Sequence, residues 1–256
     1  AVLAPPIVAW ITLRYGWRYA FLIPGAIGLL WIPLWLSAYR RPPESLDEPK
    51  LAGRPWGALL RERKVWALVL PRVASDPVWY FYLFWLPYYL QRERGLSLAQ
   101  IGIYGWIPFL FADFGNLGGG AFSDWLVRRG WPAPKARVAL LVGVGCLAPF
   151  GALVGVMSTT AVAIAITCLV AFLTQCWSTN IYALAADLFP QEERGTVAGM
   201  MGTAGSLGGV LFSQVLGILI VTFGYPSAFA VAAVMHPVAA TALVLMLRGC
   251  RDNPTA

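Results

Sequence analysis

Residues 69–90, VLPRVASDPVWYFYLFWLPYYL, form a long apolar run that contains two ionisable side chains and three prolines. Arg72 and Asp76 are four residues apart, about one helical turn, so the two side chains can pair on one face of a helix. Pro71 and Pro77 each free a backbone carbonyl, and such a broken helix is tolerated in a membrane where its backbone lines a water-filled path. The run therefore predicts a broken transmembrane helix that lines a polar cavity.

The composition of the whole chain is that of an integral membrane protein. Its 256 residues are 59% hydrophobic and 12% charged, whereas about a quarter of the residues in a typical soluble domain are charged. The basic residues behind the net charge of +7 are scattered over loops, so we expect a lipid bilayer and no nucleic acid as the partner. The sequence has no histidine cluster, nucleophile motif or Cys-x-x-Cys, which argues against an enzyme, a metal site and a cofactor.

The apolar residues are grouped into eight segments, most of them near the roughly 20 residues that span a bilayer core. The segments lie near 1–13, 19–38, 66–90, 101–123, 138–157, 161–186, 197–222 and 227–247. The first is too short to span and begins with Ala, so we expect a chain cut inside a helix, with its natural N-terminus missing. The predicted fold class is all-α: a polytopic transmembrane bundle of about eight helices, truncated at its N-terminus.

The only long polar stretch, YRRPPESLDEPKLAGRPWGALLRERK, has the proline-rich, mixed-charge composition of a connector. A short surface helix is expected near Trp56–Arg63. The stretch divides the chain into two helices before it and six after it, which predicts the second part of a transporter built from two six-helix halves. The predicted domains are the last two helices of the N-terminal half (1–39), a linker (40–64) and the C-terminal half (65–256).

The distribution of Lys and Arg over the loops predicts the orientation of the chain. If the linker is cytoplasmic, fourteen basic residues lie on the cytoplasmic side and four on the opposite side. This bias satisfies the positive-inside rule, so we expect the linker and the C-terminus in the cytoplasm.

Several stretches of the sequence resemble the major facilitator superfamily. They are WRYAFLIPGAIGLLWIPLWL followed by RRPPES, then RVASDPVWYFYLFWLPYYL, then IGIYGWIPFLFADFGNLGGGAFSDWLVRRGW. Within this superfamily they look most like the anion:cation symporters, especially the bacterial hexuronate transporters, and the resemblance runs from the fifth to the twelfth helix of that fold.

This resemblance implies a monomeric symporter of the bacterial inner membrane, which moves small organic anions with protons by alternating access. Hexuronates such as glucuronate or galacturonate are the expected substrates. Relatives that carry aldonates, glucarate or aromatic acids share much of the pattern, and a transporter-like membrane sensor is a further alternative. The coupling carboxylates of the family are expected on its first and fourth helices, so this chain would carry half of a binding site and would not transport alone.

Two loops resemble the gating motifs of the superfamily. The loop GGGAFSDWLVRRG has the spacing of the repeated cytoplasmic motif, which latches the two halves and opens as they rock. The matching positions are Gly120, where two helices can approach closely, Asp124, Arg128 and Arg129. Asp124 is expected to face the start of the fifth helix, which the chain lacks, and Asp187 and Arg194 could join it in one charge cluster. The alternative is a solvated loop with positive-inside charge.

Arg72 is the main candidate for contact with a substrate, because its planar guanidinium can bind a carboxylate through two hydrogen bonds. Asp76 could serve Arg72 or carry a proton, and the alternative is that the pair is only structural. Trp79 and Tyr80 lie on the same helix and could stack on a sugar ring, although helix packing also explains such aromatics.

Further polar candidates lie on the predicted eighth and tenth helices of the family fold. Asp113 is expected to be a buried carboxylate, either a proton carrier or a permanent partner of Arg72. Asn116 lies one turn beyond it. The tenth helix has a polar stripe at helical spacing, for which interhelical hydrogen bonding is the alternative. Its members are Gln175, Ser178, Thr179 and Tyr182.

Overall fold

The computed structural model describes residues 2–39 and 53–251. The described part of the chain consists of helices joined by short turns and has no strand, which confirms the all-α prediction. Its helices are α1 (Ala4–Tyr15), α2 (Tyr19–Ala38), α3 (Trp56–Leu59), α4 (Arg63–Arg92), α5 (Leu98–Tyr104), α6 (Ile107–Arg128), α7 (Ala133–Leu147), α8 (Thr160–Leu188), α9 (Gln191–Phe223) and α10 (Tyr225–Arg251). Most of the predicted linker, residues 40–52, lies outside the described residues.

The predicted apolar segments correspond to these helices, with two interruptions. The segment 101–123 is divided between α5 and α6, because Pro108 begins a new helix near its first position. The segment 138–157 is divided between α7 and a 3₁₀ helix, Ala148–Gly155, which has a proline at its start. Five helical stretches are long and apolar enough to cross a membrane: α2, α7 with the 3₁₀ helix, α8, α9 and α10.

Helix α4 is continuous from Arg63 to Arg92, so the prediction of a broken helix is wrong. Its three internal prolines each remove one backbone hydrogen bond without ending the helix, which neighbouring helices make possible in a membrane protein. Pro77 frees the carbonyl of Val73, four residues earlier. A Cβ at Gly208 of α9 would overlap this carbonyl oxygen. The backbone of α9 therefore covers the carbonyl that the proline leaves unpaired.

The close helix contacts depend on glycines that face a neighbouring backbone. On α6, a Cβ at Gly115 would overlap the carbonyl of Phe172, and one at Gly119 would lie 2.8 Å from the Cα of Cys176. Close approach was predicted for Gly120, where a Cβ would make an ordinary contact of 3.5 Å with Thr179. The prediction was one residue out of register, because Gly115 and Gly119 share the face of α6 that contacts α8.

Two apolar clusters fill the bundle formed by α4 and α6–α10. The cluster at the linker end includes Leu59 and Val69, and the cluster at the opposite end includes Val78 and Phe229. Helix α4 supplies Val69 to one cluster and Val78 to the other. Arg72 and Asp76 lie between these two valines on α4, so they are placed between the two clusters.

Helices α1 and α2 are much less enclosed than the rest of the bundle. Helix α1 buries Ala9 and Ile11, and Ala9 lies against Gly102 of α5. Helix α2 is 20 residues long and strongly apolar, yet it buries no side chain. In a membrane, this exposed apolar surface would face lipid or other transmembrane helices.

Candidate functional site

Arg72 and Asp76 form an ion pair inside the bundle, as their spacing predicted. Nη2 of Arg72 lies 2.6 Å from Oδ2 of Asp76, and their side chains are only 8% and 14% exposed. Pairing at close range lowers the cost of placing each charge away from water. The pair is therefore a stable element of α4 rather than two isolated charges.

Arg72 also contacts Tyr182 of α8, a member of the predicted polar stripe. Nη2 donates a hydrogen bond of 3.1 Å to the Tyr182 hydroxyl, and the guanidinium carbon lies 4.7 Å from the centre of the Tyr182 ring. Nε of Arg72 is buried and has no hydrogen-bond partner in the described chain. A buried donor without a partner costs about 1–3 kcal/mol, so a ligand that accepted from this N–H would recover part of that cost.

The ion pair lines a cavity of about 160 Å³ between α4 and α8. Six of the predicted residues line it: Arg72, Asp76, Trp79, Tyr80, Gln175 and Ser178. The cavity therefore contains most of the side chains that were proposed to contact a substrate.

Three further lining residues were missed in the sequence, namely Ser75, Thr174 and Trp177. Thr174 lies one turn before Ser178, so extending the polar stripe by a turn would have included it. Oγ1 of Thr174 and Nε1 of Trp177 are buried and lack a partner among the residues described. Together with Nε of Arg72 on α4, these two α8 atoms are polar groups beside the cavity that a ligand or water could satisfy.

Glycines of α9 make room for the α4 side chains of the site. A Cβ at Gly205 would overlap Oδ2 of Asp76, and a Cβ at Gly209 would overlap the ring of Tyr80. These two glycines are four residues apart and therefore lie on one face of α9. Because these glycines have no side chains, the backbone of α9 can lie directly against Asp76 and Tyr80.

Asp113 is exposed, so the prediction of a buried carboxylate is wrong. It is also not the ion-pair partner of Arg72, which is Asp76. The reason is geometric: α6 turns Gly115 and Gly119 towards α8, and Asp113 lies almost opposite to them on the helix. A role for Asp113 as a proton carrier stays a prediction.

Asn116 and Thr179 are paired with each other across the contact between α6 and α8. The Thr179 hydroxyl donates a hydrogen bond of 2.7 Å to Oδ1 of Asn116. Neither residue lines the cavity. This contact agrees with the alternative interpretation of the stripe, in which polar residues hold helices together.

The predicted charge cluster at the linker end is organised by Arg137, which was not among the sequence candidates. Nη1 of Arg137 lies 2.7 Å from Oδ1 of Asp124, and its Nε lies 3.4 Å from Oδ2 of Asp187. Arg137 also donates to the hydroxyl of Ser123. The two aspartates were predicted to share a cluster, and a cation from the start of α7 joins them.

The other basic residues of the two motif loops make separate contacts. Nε of Arg194 donates a hydrogen bond of 3.0 Å to the carbonyl of Phe189, a contact that caps the end of α8. The prediction that Arg194 joins Asp124 is therefore replaced by this local role. Arg129 stacks on the ring of Trp125 at 4.8 Å, and Arg128 is exposed at the end of α6.

The end of the linker is fastened to α9 by Arg54, which was not among the sequence candidates. Nε and Nη2 of Arg54 bind the two carboxylate oxygens of buried Glu193 at 2.6 and 2.8 Å. Arg54 also pairs with Glu62, and the hydrogen bonds to Glu193 and Glu62 raise the pKa of the Arg54 guanidinium. The helix expected near this point is limited to Trp56–Leu59, and it buries Leu59 instead of lying wholly on the surface.

Comparison with known proteins found similarity to membrane transporters. The family model described as Major Facilitator Superfamily matches residues 1–213 and 136–255. The hexuronate transporter of Escherichia coli is 30% identical over 269 residues, which cover 97% of this chain and 62% of that transporter. The galacturonate transporter of Dickeya chrysanthemi is 34% identical over 138 residues, which cover 46% of this chain and 40% of that protein. The chain thus spans about three fifths of the length of the first of these relatives.

A solved structure with a similar arrangement of helices is that of a bacterial homologue of the human lysosomal transporter Spinster, in an inward-facing and unoccupied conformation. The TM-score is 0.61 at 19% sequence identity, and the match covers 93% of this chain and 60% of that chain. At this identity the similarity concerns the fold alone, and it agrees with the helix order described above.

Proposed function

Because the chain belongs to the Major Facilitator Superfamily, we propose that it forms part of a secondary active transporter that moves a small organic anion by alternating access. Its relatives and its apolar helices indicate a multi-pass protein of the bacterial inner membrane. Hexuronates such as glucuronate or galacturonate are the proposed substrates, since the relatives named above are transporters of hexuronate and galacturonate. The linker and the C-terminus are proposed to lie in the cytoplasm.

The observation that carries this proposal is the buried, unpartnered Nε of Arg72, a residue that lines the cavity between α4 and α8. Asp76 and Tyr182 both contact Nη2 and leave Nε unoccupied. A substrate carboxylate would therefore accept from Nε, once rearrangement of the site exposes this buried atom, without displacing Asp76. A charge-assisted hydrogen bond of this kind is roughly twice as strong as one between neutral groups, and the low-dielectric surroundings strengthen it further.

The remaining cavity residues suit the hydroxyl groups and ring of a sugar acid. Thr174 and Trp177 offer polar atoms that lack partners in the described structure, while Trp79 and Tyr80 add aromatic surface. The cavity volume, about 160 Å³, is below the range of about 300–1,000 Å³ that is typical of small-molecule sites. In the proposed transporter, helices of the other half complete the site at the midplane.

Proton coupling and gating are assigned to carboxylate side chains of the protein, some beside Arg72 and others at a distance from it. Asp76 and Asp113 are the proposed proton carriers within the chain, and H⁺ is the proposed coupling ion. The cluster of Arg137 with Asp124 and Asp187 is the proposed cytoplasmic latch, in which Asp124 would face the start of the fifth helix. Its charges are held by contacts between α6, α7 and α8, which would have to rearrange as the halves rock.

The experiment that tests the proposal is uptake of labelled glucuronate into vesicles that contain the complete gene product, with an imposed proton gradient. Arg72→Ala should abolish uptake without lowering the amount of inserted protein, whereas Arg92→Ala, at the end of the same helix, should retain it. Collapse of the gradient by a protonophore should stop uptake by the unaltered protein.

The outcomes separate the alternatives that the sequence left open. Unchanged uptake in Arg72→Ala would reduce Arg72 to a structural ion-pair partner of Asp76. If the unaltered protein ignores glucuronate and galacturonate but takes up an aldonate, glucarate or an aromatic acid, the substrate assignment is wrong and the transporter assignment stands. If it takes up none of these while still binding one of them, the sensor interpretation replaces transport.

A further inference from the structure

A groove of about 450 Å³ opens on the outside of the bundle at the linker end, between α7, α8, α10 and the start of α4. Most of its lining is apolar: Pro134, Val138, Ala139, Leu184, Leu188, Val244 and Leu247. The other three lining residues are Lys64, Lys135 and Arg248, and none of the described residues that line the groove is acidic. The groove is separate from the cavity at Arg72, with which it shares no residue.

The three cations lie at one level, where helices begin or end. Lys64 is the second residue of α4, Lys135 is the third residue of α7, and Arg248 lies three residues before the end of α10. The apolar residues continue from this level towards the middle of the bundle, because Val244 and Leu184 lie one turn below Arg248 and Leu188. The groove thus has a cationic rim above an apolar wall.

A backbone contact fixes the relative position of two of the helices that supply this rim. Nε of Arg63 donates a hydrogen bond of 3.2 Å to the carbonyl of Met246, which joins the start of α4 to the last turns of α10. Lys64 and Arg248 flank this contact in sequence. The rim is therefore built on anchored helix ends rather than on free loops.

We propose that this groove binds an anionic phospholipid of the surrounding membrane, with its phosphate on the rim cations and one acyl chain along the apolar wall. Three cations around one opening repel each other unless an anion lies between them. Basic pockets between helices at the membrane surface match the headgroups of acidic lipids in this way. The apolar wall favours a ligand with an acyl chain over a hydrated soluble anion, and three cations favour a headgroup of net negative charge over a zwitterionic one.

Lipid in this groove would contact the helix that organises the charge cluster. Lys135 and Arg137 lie in the first turn or so of α7, and Arg137 holds Asp124 and Asp187. The phospholipid would therefore brace the start of α7 from the membrane side while Arg137 contacts α6 and α8 from the other side.

The test is a titration of the complete gene product, purified in detergent, with phosphatidylglycerol or phosphatidylethanolamine, in which native mass spectrometry counts bound lipid. The triple change Lys64→Gln, Lys135→Gln and Arg248→Gln should weaken phosphatidylglycerol binding about 100-fold, since each basic residue near an acidic lipid contributes roughly a factor of five. The matched control Arg61→Gln, Arg128→Gln and Arg129→Gln removes the same charge at the same end, outside the groove, and should change binding by less than about threefold.

A second variant keeps all the charges and fills the groove. Ala139→Phe should weaken phosphatidylglycerol binding at least about tenfold, because the ring occupies the proposed acyl-chain space. Val142→Phe, one turn further along α7 and outside this groove, should not. Equal losses in both triple variants, no effect of Ala139→Phe, or equal binding of phosphatidylethanolamine would each overturn the proposal.

Discussion

Two arginines on or beside α4, the buried Arg72 and the half-buried Arg94, show how differently a cation can be satisfied. Arg94 lies just after the helix and uses every nitrogen of its guanidinium. Its Nε donates to the Tyr89 hydroxyl at 2.8 Å, Nη1 to the carbonyl of Ser158 at 3.0 Å, and Nη2 to the carbonyl of Met157 at 2.6 Å. Arg72, which is more deeply placed, leaves Nε without a partner in the described chain.

The difference separates a structural arginine from one that is available to a ligand. Arg94 ties the end of α4 to the segment that follows the 3₁₀ helix, and Tyr89 supports it by donating to the carbonyl of Val154 at 2.9 Å. Each of its three guanidinium nitrogens donates to a group within the fold. Arg72 has one acidic partner, its buried Nε has no partner in the described chain, and the residue lines a cavity. The presence of a buried donor without a partner distinguishes Arg72 from Arg94.

Among the changes that test this comparison, the largest expected effect comes from Arg72→Lys. An ammonium group can still pair with Asp76, but it lacks the planar fork that offers a second donor to a carboxylate. Uptake of glucuronate at low substrate concentration should fall about 100-fold, on the order of a lost charge-assisted hydrogen bond plus a misplaced charge. Uptake close to that of the unaltered protein would show that only the charge at this position matters.

Arg94→Ala should instead lower stability and leave substrate affinity unchanged. The carbonyls of Met157 and Ser158 lose the Arg94 donor, while Val154 keeps its bond from Tyr89, and leaving a buried carbonyl unsatisfied costs about 1–3 kcal/mol. Thermal unfolding of the purified protein should therefore occur at a lower temperature, while KM for uptake stays the same. Arg92→Ala is the matched control, and a raised KM in Arg94→Ala would contradict the structural role.

Gly205→Ala tests whether the position of Asp76 matters to the function of Arg72. A Cβ at Gly205 would overlap Oδ2 of Asp76, whereas nothing lies within 4 Å of a Cβ at Gly217 on the same helix. Gly205→Ala should reduce uptake about tenfold, since small displacements in a binding site are costly. Gly217→Ala should have no such effect and should favour the helix slightly. Equal uptake by the two variants would show that Asp76 can move without consequence.

The helix pattern and the pairing of Arg72 with Asp76 could be predicted because both depend on local spacing. Hydropathy marked every membrane helix of the described chain, and a separation of four residues placed the two charges on one face. Asp113 was placed wrongly because hydropathy does not say which face of a helix meets its neighbour. The signal was present in Gly115 and Gly119, whose spacing of four residues marks the face of α6 that packs against α8.

The contacts of Arg54 and Arg137 could not be predicted from local spacing. Arg54 and Glu193 are 139 residues apart, and Arg137 and Asp187 are 50 residues apart. Each pair forms only because segments far apart in the sequence meet at the linker end of the bundle. A sequence pattern shows that such cations lie near the membrane surface, and only the packing of the helices shows which carboxylate each one meets.

The smallest expected effect is that of Tyr182→Phe, which refines the comparison of the two arginines. The change removes the hydroxyl that accepts from Nη2 of Arg72 and keeps the ring on which the guanidinium stacks. Loss of one hydrogen bond, about 0.5–1.5 kcal/mol, should raise KM for uptake about threefold with little change in maximal rate. Thr179→Val is the control on the same helix, since its hydroxyl contacts Asn116 and not the cavity. If Thr179→Val raised KM as much as Tyr182→Phe, the two positions would share a packing role, and the direct contact with Arg72 would not be what matters.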